Sequence, residues 1–211
     1  MKGIWFDNLH SYSDLNLILS KAEIPPAVAK TNYIDIPGGD GSIDATEAHG
    51  EVKYKDRQCK FTLSVLPSDD FEEKKREVSN LLNGMRCKIV LDKDPDWYWE
   101  GRCSVDSYAS NKNMHQIVIG AVVKPYKLRI KETSVVYPAH FHNFKTLYNE
   151  RKKVVPTITT TAKASFSFNG NVYSVDAGTH TILDIQLLQG ENRLLISSTG
   201  EATVTYREGA L

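Results

Sequence analysis

Apolar side chains recur at every second position through much of this chain. Cys59-Phe61-Leu63-Val65, Met85-Cys87-Ile89-Leu91, Cys103-Val105 and Ile117-Ile119-Ala121-Val123 alternate with polar or small neighbours. Side chains two apart share one face of an extended strand, so each run buries one face and wets the other. The pattern continues in Ala162-Ala164-Phe166-Phe168, Val172 to Val175, Ile182 through Leu188, Leu194-Leu195-Ile196 and Ala202-Val204-Tyr206. Short strands at this spacing indicate sandwich or barrel architecture. Turn chemistry agrees: Asn169-Gly170-Asn171 is a strong hairpin signal, and Gln189-Gly190-Glu191-Asn192 and Thr199-Gly200 break the pattern similarly.

One helix, over about residues 68–83, interrupts the strands. Ser68-Asp69-Asp70 supplies an N-cap and first-turn acids, and Asp69 to Glu72 has capping-box spacing. Phe71, Val78, Leu81 and Leu82 fall on one stripe, with Lys74, Lys75 and Arg76 outside it and Gly84 at the C′ position. The chain is therefore expected to be mostly β with one α-helix.

The chain has 211 residues, 26 Lys+Arg against 26 Asp+Glu, and 41% hydrophobic residues. This composition excludes wholesale disorder. Neutrality removes the electrostatic case for a dedicated nucleic-acid or membrane-surface binder. No apolar run approaches the ~18–20 residues of a membrane span. The N-terminus, Met1-Lys2-Gly3-Ile4-Trp5-Phe6-Asp7, lacks the apolar core of a signal peptide, so a soluble, intracellularly made protein is expected. Pro125 and the charged stretch 127–131 mark a domain boundary, giving an N-terminal domain over 1–130 and a C-terminal one over 131–211. The first carries 18 basic and 19 acidic residues and the second 8 and 7, so neither is a charged tail.

Candidate chemistry is sparse. Cys59, Cys87 and Cys103 share strand faces with core residues and read as reduced core thiols. Pro37-Gly38-Gly39-Asp40-Gly41-Ser42 is glycine-rich, but no helix follows to meet a phosphate, so it reads as a tight turn. Asp92-Lys93-Asp94-Pro95-Asp96 has the 1,3,5 spacing of a calcium loop, yet position six is Trp97 and position twelve Cys103. It reads as a turn joining strands that end at Leu91 and begin at Trp97. His140-Phe141-His142 would put two imidazoles on one strand face, the nearest approach to a metal site. A third ligand would come from His10, His49, His115, His180 or a distant carboxylate, and no spacing nominates one. The carboxylate pairs Asp69-Asp70 and Glu72-Glu73 lie on a wet helix face, where raised pKa values are not expected. No catalytic, cofactor-binding or metal residue is assigned, and no enzymatic function is expected. Trp97-Tyr98-Trp99 carries large apolar area on both faces of its strand, as core and interface or, alternatively, as a sugar-stacking platform.

In order along the chain, several stretches resemble the distal tail protein (Dit) family of long-tailed phages and prophages of Gram-positive bacteria. Ile4-Trp5-Phe6-Asp7-Asn8-Leu9-His10-Ser11 resembles that family's first strand and turn. Ile34-Asp35-Ile36-Pro37-Gly38-Gly39-Asp40-Gly41-Ser42-Ile43-Asp44 is similar to its I-x-I-P-G-x-D-G-x-L/I-D stretch, followed by Tyr54-Lys55-Asp56-Arg57. Leu82-Asn83-Gly84, the hairpin from Asp92 to Arg102 with Pro95, Tyr98 and Gly101, and Pro125-Tyr126 follow in sequence. Gly190-Glu191-Asn192 and Tyr206-Arg207-Glu208-Gly209 resemble the family's ending. Residues 133–165 match no such pattern, which leaves their strand order open.

The resemblance implies a structural role at the virion tail tip, in a protein synthesised in the host bacterial cytoplasm. The N-terminal β-sandwich-like domain would form a hexameric ring, and a small galectin-like β-sandwich would project from it. One ring face would meet the tail tube protein and the other the tail-associated hub protein. Receptor-binding or baseplate proteins would sit at the periphery. Neither a membrane nor specific nucleic-acid binding is implied, although the genome would pass through the ring. Larger members insert carbohydrate-binding modules into the second domain, which at about 80 residues has no room for one here. From the residues themselves, Ala22 to Gly50, with Pro25-Pro26, Pro37 and four glycines, suits an arm that packs across a subunit boundary. The alternative is a lectin-like module in which Trp97, Trp99, Tyr173 or Tyr206 stacks on saccharide.

Overall fold

The computed structural model describes residues 3–48, 50–66, 69–111 and 114–211. The chain divides into two compact units, Met1–Pro125 and Tyr126–Leu211.

Unit one holds β1 (Ile4–Phe6), β2 (Leu9–His10), β3 (Leu17–Glu23), β4 (Tyr33–Asp35), β5 (Ser42–Asp44), β6 (Arg57–Val65), α1 (Phe71–Leu82), β7 (Arg86–Leu91), β8 (Asp94–Asn111) and β9 (Met114–Val123). Seven strands form one antiparallel sheet in the order β2-β1-β7-β8-β9-β6-β3. The alternating runs named above are β6 to β9, and their apolar positions form one core with Ile4, Phe6, Leu15 and Leu17. Phe6 and Phe61 stand four strands apart in this order, yet their rings meet edge to face at 6.4 Å. A sheet whose distant strands touch must curl, so one bent sheet encloses the core in the manner of a sandwich. Between β8 and β9 the register shifts at Val105/Ser107. The bulged Asp106 brings its carboxylate to 2.3 Å from where a Cβ on Gly120 would stand, so any larger residue there would displace that side chain.

The helix is shorter than expected and differently capped. Ser68 lies outside the described residues; the cap is Asp70, whose carboxylate accepts from Glu72 N at 2.8 Å and Glu73 N at 3.1 Å. Val78 and Leu82 are buried, while Leu81 is exposed. Leu81 lies about 100° round the helix from Leu82, and the sheet covers the Leu82 side. Lys75 is not simply a wet-face charge either: its ammonium lies 5.0 Å over Phe71 and 5.3 Å over Tyr108. Gly84 follows the Asn83 C-cap with φ +83° and donates its N–H to Cys103 O. The turn after β7 also differs from expectation. Leu91 pairs with Asp94, so Asp92-Lys93 alone makes the turn and the next strand begins three residues before Trp97.

Unit two holds β10 (Lys127–Arg129), β11 (Thr133–Tyr137), β12 (Phe141–Asn149), β13 (Thr157–Thr160), β14 (Ala164–Phe168), β15 (Asn171–Val175), β16 (Gly178–Thr181), β17 (Gly190–Ser198), β18 (Ala202–Tyr206) and β19 (Gly209–Ala210). Two four-stranded antiparallel sheets, β11-β18-β13-β16 and β12-β17-β14-β15, sandwich a common core. The first contributes Tyr137, Ile158, Val204 and Tyr206, the second Leu147, Phe166, Leu194 and Ile196. Residues 133–165, which matched no pattern, supply β11, β12 and β13. Asn169-Gly170 joins β14 to β15 with φ +49° and +84°, the pair of positive values a type I′ hairpin requires. Ile182 through Leu188 is not a strand. Ile185 N–H turns back to Ile182 O, and only Leu187 bridges to Val154, while Ile185 and Leu187 remain buried. Its alternation therefore records core anchoring without a ladder.

Candidate functional site

The largest departure from core-forming logic lies between β3 and β6. None of the described residues from 24 to 56 is buried. Regular structure there is limited to the β4–β5 hairpin and an Ala29–Tyr54 bridge. Gly38 (φ +78°) and Gly41 (φ +76°) turn the hairpin, so the glycine-rich segment is the expected tight turn. Ile34 pairs with Ile43 at 52% and 54% exposure, and Tyr33, Ile36 and Val28 are similarly open to solvent. Two-stranded hairpins are marginal by themselves, and clustered exposed Ile and Tyr side chains mark surfaces that expect a partner. At the root of this arm, Arg57 is 93% buried and donates through Nη1 to Pro25 O at 3.4 Å. Its Nε and Nη2 meet no acceptor among the described residues, and burial lowers its pKa.

The residues nominated for chemistry are dispersed. His10 faces Asp92, His115 stacks on Phe71 at 4.6 Å, and His180 bonds to Asp176 O at 2.8 Å. His49 lies outside the described residues. His140 is not on a strand. It occupies the turn before β12 with φ +59°, while His142 is in β12, although both border one cleft. Among the described residues no three His, Cys, Asp or Glu side chains converge as metal ligands. Asp92 is committed to accepting hydrogen bonds from Gly3 N at 2.6 Å and Trp5 Nε1 at 3.2 Å. Asp70 caps the helix, and Glu72 pairs with Lys75 at 2.6 Å. Trp99 and Tyr206 are buried, so neither offers a ring face to a sugar. The Tyr206 hydroxyl donates to Tyr148 O.

Sequence reasoning missed a buried polar knot near the C-terminus. Glu208, 3% exposed, accepts from Arg129 Nη1 at 2.8 Å and Thr133 Oγ1 at 2.5 Å, while Arg207 donates to Arg129 O and Ile130 O. These residues sit at opposite ends of unit two in the sequence, and the β10–β19 and β11–β18 ladders bring them together.

The sequence matches no family model and no curated protein. Among solved structures, the crystal structure of SPP1 Dit (gp 19.1) superposes with a TM-score of 0.72 over 100% of both chains at 13% identity. The fold is that of a phage Dit protein. That structure is described as a paradigm of the hub adsorption apparatus in phages that infect Gram-positive bacteria. The likeness spans β1 to β19, so it includes residues 133–165, which carried no Dit motif. None of the described helices is long and apolar enough to cross a membrane.

Proposed function

We propose that this chain is a structural subunit of a phage tail tip, assembling six copies into a ring through unit one. Two lines support the reading: Dit-like architecture over the whole chain, and an arm at 24–56 with exposed apolar side chains and no core of its own. A ring requires a heterologous interface, one patch meeting a different patch on the next copy. The arm carries this argument because its Ile34–Ile43 pair is costly to leave in water and harmless to bury against a neighbour. The ring would lie between the tail tube protein and the tail-associated hub protein, with receptor-binding or baseplate proteins at its rim, in the virion tail. Shape is the product, and no catalytic group is needed.

Light scattering after size exclusion tests this. The expected mass is six times the 23.7 kDa protomer, collapsing to one protomer in an Ile34→Asp/Ile43→Asp variant with unchanged circular dichroism. A wild-type mass of one protomer at every concentration, or an unchanged ring in the variant, overturns it.

A further inference from the structure

The outer face of one unit-two sheet carries a polar row that the ring reading does not use. Ladder pairing sets His142 opposite Ser197, Ser197 opposite Ser165, and Ser165 opposite Ser174. Residues directly opposite in a ladder point to the same face, so the four side chains form one line across β12, β17, β14 and β15. Their sequence neighbours Ile196, Phe166 and Ala164 point the other way, into the core. His140, from the turn before β12, and Lys163, just before β14, flank the same place. Together these six residues border an open cleft of about 390 Å³.

Three features distinguish this cleft from ordinary wet surface. It is lined by two imidazoles, an ammonium and a set of hydroxyls, and no carboxylate is among its lining residues. None of the six side chains forms a hydrogen bond or ion pair with another described residue. Finally, His140 is held in the left-handed region at φ +59°, so the turn before β12 fixes where it stands at the cleft. Imidazole and hydroxyl groups lining one cleft beside a lysine ammonium match an oxyanion. The chemistry of a neutral sugar fits less well. There is no carboxylate to accept from hydroxyls, and Phe141, the one phenyl ring in the lining, packs edge to face on the Tyr137 ring at 5.3 Å.

The geometry points to a binding site for a phosphate group, free or esterified, in the cleft between the turn at His140 and the start of β14. Lys163 supplies charge, and the imidazoles with the hydroxyls of Ser165, Ser174 and Ser197 supply directed hydrogen bonds. This inference stands apart from the ring reading, since it concerns a different unit and needs no neighbouring copy.

The test is the ³¹P line width of inorganic phosphate and of glycerol 3-phosphate with the full chain, at fixed ionic strength set by chloride. Saturable broadening is expected for both if the site reads a phosphate group, and for inorganic phosphate alone if it accepts only the free ion. The Lys163→Ala/His142→Ala variant should weaken the affinity about tenfold, the equivalent of roughly one charge-assisted hydrogen bond. Both residues are exposed, so the variant should keep its fold and thermal midpoint. Absence of saturable broadening, equal broadening with the variant, or saturation transfer to a neutral disaccharide in place of phosphate overturns the proposal.

Discussion

Across β7 and β8 the Cys87 and Cys103 sulfurs lie 3.5 Å apart, both in the core of unit one. The two thiols share a hydrogen bond in which either sulfur can be the donor. That bond, reinforced by burial, raises the Cys103 pKa, and the same bond lowers that of Cys87. Reactivity requires an exposed thiolate. Ellman's reagent is therefore expected to find no fast-reacting thiol in the native protein and three after denaturation in guanidinium. A stoichiometric fast phase under native conditions would show that the β7–β8 packing is open.

A second long-range tie fixes the N-terminus. The Asp92 carboxylate, in the turn after β7, accepts from Gly3 N and Trp5 Nε1 and meets His10 Nε2 at 3.3 Å. Gly3 is required at this approach, because a Cβ there would stand 2.2 Å from that imidazole. Asp92→Ala strips three donors of one acceptor and should cost about 1–3 kcal/mol in urea unfolding. The amides of β1 and β2 should lose hydrogen-exchange protection first. Uniform loss of protection across unit one would place the role of Asp92 elsewhere.

Two buried phenols in unit two make opposite predictions. Tyr206 donates its hydroxyl to Tyr148 O, whereas the Tyr137 hydroxyl has no partner among the described residues. Removing a satisfied buried hydroxyl loses a net hydrogen bond, and removing an unsatisfied one relieves a desolvation cost. Tyr206→Phe should lower stability by about 1 kcal/mol, and Tyr137→Phe should leave it unchanged or raise it by up to about 1 kcal/mol. Chemical denaturation of the two variants decides the point, since equal destabilisation would contradict the hydrogen-bond assignment.

Much of this architecture could be read from period-two alternation, because burial of one strand face dictates it. The runs at Cys59, Met85 and Ile117 became β6, β7 and β9 with their apolar positions in the core. Reading failed where burial and backbone pairing separate. Ile182 through Leu188 alternates like a strand because Ile185 and Leu187 anchor in the core, yet the segment has only one bridge. Leu81 matched the helix stripe as well as Leu82, and only the position of the sheet decides between them. The arm was legible from its glycines and prolines, which cannot form a packed strand. The polar row of His142, Ser197, Ser165 and Ser174 was not, since it depends on register among four strands far apart in sequence.

Alkaline pH should weaken the fold through these same buried groups. Burial pushes the Cys59 thiol up to about 11 and the Tyr206 phenol up to about 12, and it raises Tyr137 as well. In the unfolded chain a thiol titrates near 8.5 and a phenol near 10. Below those values both states hold their protons and the contribution to stability is complete. As pH rises past them, the unfolded chain releases protons that the folded one retains, so stability falls until the folded groups also ionise. The thermal midpoint should therefore decline steadily between about pH 9 and 11. Cys59→Ala should flatten the early part of that decline while lowering the midpoint at neutral pH through the lost packing. A wild-type midpoint that stays level across the interval would mean that the thiol and the phenols are accessible to water.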